Sequence, residues 1–150
     1  MDTAFDRAFD LTGKTAIVTG GTGGIGLEIV RLFAERGASQ VIVGTRSSAN
    51  EIAAGLPGGA ARNVGVTGDV ADAKAVASAV STALDRFGRI DILVNNAGIS
   101  VVENAEALPA ADFDRVMAVN VRGPFLMAQA AGKAMISRRS GRIVNVASQA

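Results

Sequence analysis

The segment Thr19-Gly20-Gly21-Thr22-Gly23-Gly24-Ile25-Gly26 constrains this chain more than any other. It joins an apolar run, Lys14–Thr19, to an amphipathic one, Ile25 to Arg36, and so reads as a tight turn from a strand into a helix. Glycines there let the backbone approach a bound group closely. The helix that follows offers free N–H groups and a favourable dipole to an anion. The spacing alone is permissive: Gly21-x-Gly23-x-x-Gly26, Gly20-x-x-x-Gly24-x-Gly26 and Gly20-x-x-Gly23-x-x-Gly26 all fit. The context, a compact strand-turn-helix-strand unit, points to a dinucleotide pyrophosphate at the turn.

The rest of the chain repeats that alternation. Gln40–Gly44 reads as a second strand, Ser47–Leu56 as a short helix stopped by Pro57-Gly58-Gly59, and Asn63–Thr67 as a third strand. In the first helix Ile25, Ile29, Leu32 and Phe33 share a face, and Gly37 stops it. Asp72 to Phe87 gives a clear helix, with Ala73, Val76, Ala77, Val80, Ala83, Leu84 and Phe87 on one stripe. Ile90–Val94 is a fourth strand and Arg142–Ala147 a fifth. Between them Pro109 opens a long helix to about Ser137. Continuous apolar strands alternating with helices predict an α/β fold: a Rossmann-like, doubly wound parallel sheet, buried on both faces. The 150 residues are expected to form a single dinucleotide-binding domain.

Composition narrows the chemistry. The chain has no Cys, His or Tyr, which removes disulfides, the usual metal ligands and the usual general base near neutral pH. No metal site is expected. Fifteen basic residues against 14 acidic ones supply no field for nucleic acid or an anionic membrane. The N-terminal stretch Met1-Asp2-Thr3-Ala4-Phe5-Asp6 is not a secretory signal, no apolar run is long enough to span a bilayer, and a cytoplasmic protein is expected.

In a parallel sheet all the carboxyl ends of the strands meet at one edge, where ligands bind. Here the strands end in Thr19-Gly20, Gly44-Thr45-Arg46, Gly68-Asp69, Asn95-Asn96-Ala97-Gly98 and, at the fifth, Ser148. Polarity of loops in general explains one or two such ends, not all five. An acidic residue after the second strand would accept the ribose hydroxyls of NAD. Thr45 and Arg46 instead suit a 2′-phosphate, which favours NADP(H) with NAD(H) as the alternative. The competing reading of Arg46 is a solvated loop residue. On the long helix, Phe113, Val116, Met117, Val121 and Phe125 surround the apolar face, and Asn120 falls on it as a buried amide. Pro124 withholds the N–H that the Asn120 carbonyl would use, so a kink and a freed acceptor for a water are expected. The competing reading is a proline kink with a structural amide.

These residues resemble the classical short-chain dehydrogenase/reductase family, from Asp10-Leu11-Thr12-Gly13-Lys14 to Ser148, with Asn95-Asn96-Ala97-Gly98 as the most specific segment. The resemblance implies that Gly20, Gly24 and Gly26 line the pyrophosphate, with Thr22 and Ile25 of the same turn among the cofactor contacts. It places Asp69 and Val70 on the adenine and Asn96, Ala97 and Gly98 beside the ribose. It gives Asn120 the carbonyl that holds a relay water, and Ser148 the hydrogen bond to the substrate oxygen. It implies an NAD(P)-dependent oxidoreductase acting on a small alcohol or ketone, and a homo-oligomer in the complete protein. The family's proton donor, a Tyr with a Lys four residues on, has no counterpart here, so the chain is expected to be the N-terminal portion of such a protein, lacking the C-terminal part of the fold. The alternative is a non-catalytic dinucleotide-binding module or an inactive fragment.

Overall fold

A computed structural model describes residues 7–46 and 48–148. The N-terminal stretch Met1–Asp6 and Ser47, read above as the start of a helix, lie outside the described residues. Strands β1 (Thr15–Thr19), β2 (Ser39–Gly44), β3 (Asn63–Thr67), β4 (Ile92–Asn95) and β5 (Arg142–Asn145) alternate with helices. These are α1 (Gly24–Glu35), α2 (Ala49–Gly55), the short α3 (Gly59–Arg62), α4 (Ala73–Phe87), α5 (Ala110–Met117) and α6 (Gly123–Ser137). The strands pair in parallel in the order β3-β2-β1-β4-β5, with Ile17 opposite both Val41 and Leu93. The chain builds outwards from β1 to β3, then α4 carries it back so that β4 lands on the other side of β1. That reversal opens a crevice at the carboxyl ends of β1 and β4.

Both faces of the central strands are buried, as the continuous apolar runs predict. Val18, Ile42 and Val94 pack against Val30 and Ala34 of α1 and against Ala53 near α2's end. Ile17, Val41, Val43 and Leu93 pack against Val76, Ala79, Val80 and Ala83 of α4 and Met127, Ala131 and Met135 of α6. Each fully buried Ile, Leu or Met contributes about 1.5–3 kcal/mol. Two buried polar groups tie the layers together. Gln40 donates to the Val30 carbonyl (2.8 Å) and to Asn63 Oδ1 (2.9 Å). At the opposite edge of the sheet from the crevice, Asp91 accepts from the Thr15 N–H (2.9 Å) and pairs with Arg89.

Several sequence expectations need correction. The core face of α1 is Gly26, Val30 and Ala34, while Ile25 is 67% and Leu32 50% exposed. On α4 the buried face is rotated to take in Ala79, leaving Leu84 exposed. The helix from Pro109 to Ser137 runs unbroken, but not as plain α-helix: Pro109 is the residue before α5, and a π-helical turn, Ala118–Arg122, joins α5 to α6. The Gly123 N–H reaches back five residues to the Ala118 carbonyl. The hydrogen bond that Pro124 cannot supply thus falls within a stretch that contains one wider turn. The stripe Phe113, Met117, Val121 and Phe125 faces outwards, and the buried row is Val119, Gly123, Met127, Ala131 and Met135. Two apolar rows compete on this helix, and the one with a glycine against Val70 approaches the sheet more closely. Finally, β5 is exposed along its length: it is an edge strand like β3, but among the described residues it lacks the helical cover that α2 gives β3.

Candidate functional site

The glycine turn is pressed against the end of β4. Gly20 has φ +67°, and a Cβ there would lie 2.9 Å from the Ala97 Cα. A Cβ on Gly26 would lie 2.2 Å from the Gly20 carbonyl oxygen and 2.5 Å from Asn96 Nδ2. Thr19 Oγ1 accepts the N–H groups of Asn96 and Ala97 (3.0 Å each), and Asn96 Nδ2 donates to the Thr19 carbonyl (3.1 Å). The other side of the turn is open. Nothing lies within 4 Å of a Cβ built on Gly23 or Gly24, and no side chain caps α1. The first turn of this twelve-residue helix has neither a side-chain cap nor an acidic residue, so its dipole is unopposed by a carboxylate. A pyrophosphate fits that cradle.

Beside the turn, the ends of β2 and β3 enclose a cavity of about 130 Å³. Gly44 admits the Thr22 side chain, which a Cβ would meet at 2.4 Å. Gly20, Thr22, Thr45, Asp69, Val70, Ala97 and Gly98, all predicted cofactor residues, line the cavity. Arg46 does not line it; it is exposed, and its carbonyl accepts from Thr67 Oγ1 (3.4 Å). Burial opposes ionisation of Asp69, but the Ala71 N–H (2.9 Å) and the Arg115 guanidinium (2.5 Å) outweigh it and hold the carboxyl below its usual range.

On the other side of Ala97, Gly98 and Ile99 lies a wider cleft of about 1190 Å³. Ile25, Asn96, Asn120 and Ser148 all border it. The two spaces share Ala97, Gly98 and Ile99 among their lining residues and so are neighbours at the carboxyl edge of the sheet. Asn120 is exposed rather than buried, yet both ends of its amide are engaged: Oδ1 accepts the Ile99 N–H (2.9 Å) and Nδ2 donates to the Ile99 carbonyl (2.8 Å). This two-point clasp fixes the π turn against the loop after β4. Asn95 donates to Asn145 Oδ1 across β4 and β5 (2.9 Å). Ser148 stands exposed at the cleft's rim.

Sequence reasoning placed Thr19 at a strand end without giving its side chain a role, and missed Ile99, Asn145 and Arg115. Thr19 and Asn145 are strand-end polar residues, the signal used for the others. Ile99 acts through its backbone and Arg115 across 46 positions of sequence, and no local pattern marks either.

Among the described residues no group of His, Cys, Asp and Glu could hold a metal ion, and no helix is long and apolar enough to cross a membrane. A family model described as short chain dehydrogenase matches residues 14–150. D-threitol dehydrogenase of Mycolicibacterium smegmatis is 43% identical over 151 residues, covering 100% of this chain and 58% of that protein. NAD-dependent glycerol dehydrogenase of Listeria innocua is 38% identical over 146 residues, 97% of this chain and 57% of that protein. An uncharacterized oxidoreductase of Thermotoga maritima is 42% identical over 143 residues, 92% of this chain and 55% of that protein. The chain thus spans somewhat over half the length of these curated relatives.

Proposed function

This chain belongs to the short chain dehydrogenase family, and from that premise we propose that the protein is an NAD(P)-dependent oxidoreductase acting on a small carbonyl compound or secondary alcohol. The observation that carries the reading is the pair of cavities meeting at Ala97–Ile99 beside the uncapped N-terminus of α1. The residues suit a dinucleotide laid across them: base and ribose among Thr45, Asp69 and Val70, pyrophosphate on Gly20 to Gly26, nicotinamide towards the wider cleft. The nicotinamide supplies or accepts the hydride. Ser148 would hold the substrate oxygen by a hydrogen bond. Asn120, its amide committed to Ile99, would present its main-chain carbonyl to a water that carries the proton. The outward stripe Phe113, Met117, Val121 and Phe125 supports a homo-oligomer.

Within this reading we favour NADP(H). No carboxylate follows β2, and Thr45-Arg46 stands where one would repel a 2′-phosphate. The test is turnover of the natural full-length protein with small polyols and ketones, followed at the nicotinamide absorbance with each cofactor. Alcohol- or ketone-dependent turnover is expected, with kcat/KM higher for NADP(H). Replacing Arg46→Asp should lower the NADP(H)/NAD(H) ratio at least about tenfold, the equivalent of one lost charged contact. An unchanged ratio removes Arg46 from the site.

A second reading, a dinucleotide-binding module without catalysis, is favoured by one observation. These 150 residues contain neither Tyr nor His. It predicts cofactor binding with no turnover on any substrate in the same assay.

A further inference from the structure

One charged side chain lining the smaller cavity belongs to no strand end. Arg115 lies on α5 and reaches across to Asp69, with Nη2 2.5 Å from Oδ2. The other oxygen of Asp69 accepts the Ala71 N–H at 2.9 Å, so the carboxylate is held on both sides. Arg122, two helical turns further on, donates to the Ala71 carbonyl and fastens the same loop. The guanidinium is therefore tethered along one edge by a carboxylate that cannot easily swing away. Its side chain nevertheless remains 49% exposed, at the cavity that Thr45 and Val119 also line.

We propose that Arg115 is a recognition residue for the cofactor's adenine: tethered by Asp69, its guanidinium lies flat on the base and closes the cavity from the α5 side. The inference rests on the cofactor reading above. A volume of about 130 Å³ has room for one flat heterocycle. The guanidinium is planar and weakly hydrated, so it stacks on aromatic faces, which an ammonium does poorly. The ion pair with Asp69 orders the side chain before the base arrives, reducing the entropy lost on stacking. Asp69 thus acts as the anchor that aims Arg115.

The test compares the dissociation constants of ADP and of nicotinamide mononucleotide for the wild-type protein, Arg115→Gln and Arg115→Lys. ADP should bind about tenfold more weakly to Arg115→Gln, the size of a partly desolvated cation–π contact. It should bind several-fold more weakly to Arg115→Lys, which keeps the charge and the ion pair but loses the plane. Nicotinamide mononucleotide, which has no adenine, should bind all three equally. Unchanged ADP binding overturns the inference. So does full retention by Arg115→Lys, which makes Arg115 a point charge, or a parallel loss for both ligands, which makes its role structural. If Arg115→Gln does not fold, Arg115→Lys alone carries the comparison. Wild-type protein that binds neither ligand overturns the cofactor reading itself, an outcome distinct from the others.

Discussion

Asp91 holds a charge where the sheet is nearly dry, with 5% of its surface exposed. Burial opposes its ionisation. Hydrogen bonds from Arg89 and from the Thr15 N–H, with Arg138 at 3.5 Å, more than offset that and lower its pKa. A carboxyl depressed in the folded state stabilises above its unfolded pKa, and that contribution is lost as pH falls through the folded value. Asp91→Asn should therefore cost about 2 kcal/mol at neutral pH, on the scale of hydrogen bonds to a charged group. Urea unfolding should show the gap to wild type closing below about pH 4. A gap independent of pH would mean that the charge contributes nothing. Thr45, Asp69 and Asn96 to Gly98 were legible as residues lining the two cavities because each lies just past a strand whose end the fold class places. Arg115 and Ile99 were not, because their partners depend on which helix crosses which loop.

Helix α6 ends in a turn that asks for glycine and has arginine. The Ser140 N–H reaches the Met135 carbonyl (3.1 Å), the Arg139 N–H reaches that of Ile136 (3.0 Å), and Arg139 sits at φ +51°. This is the Schellman arrangement, with an exposed L side chain in the left-handed position. Arg139→Gly should stabilise the protein by about 1 kcal/mol and raise its melting temperature by about 3 °C. A lower melting temperature would show that Arg139 contributes more through its side chain than it costs in backbone strain. On the same helix, Pro124 made a disturbance of the hydrogen bonding legible near Asn120. Its form, a π-helical turn, was not legible, since a proline removes one donor without saying which carbonyl the backbone uses next. The buried row was misread for a related reason. Periodicity finds apolar rows, but burial is decided by how near a row can come to the sheet, and Gly123 settles that here.

Over the whole molecule, the reversal of strand order between β1 and β4 turns separate polar loops into one binding edge. The alternation of strands and helices made that architecture readable, because parallel strands buried on both faces need a covering helix at each crossover. The exposure of β5 was not readable, because its apolar sequence looks like that of the covered strands; Ile143 and Val144 are 42% and 49% exposed. The proposed cofactor site depends most on the glycine turn holding the pyrophosphate. The most direct measurement is the change in backbone amide chemical shifts when ADP, and then NADPH, is added to the protein. The account predicts that the amides of Gly23, Gly24 and Ile25 shift with both ligands, saturating together with binding, while those around Asp91 stay in place. Binding that leaves these three amides unmoved would contradict it.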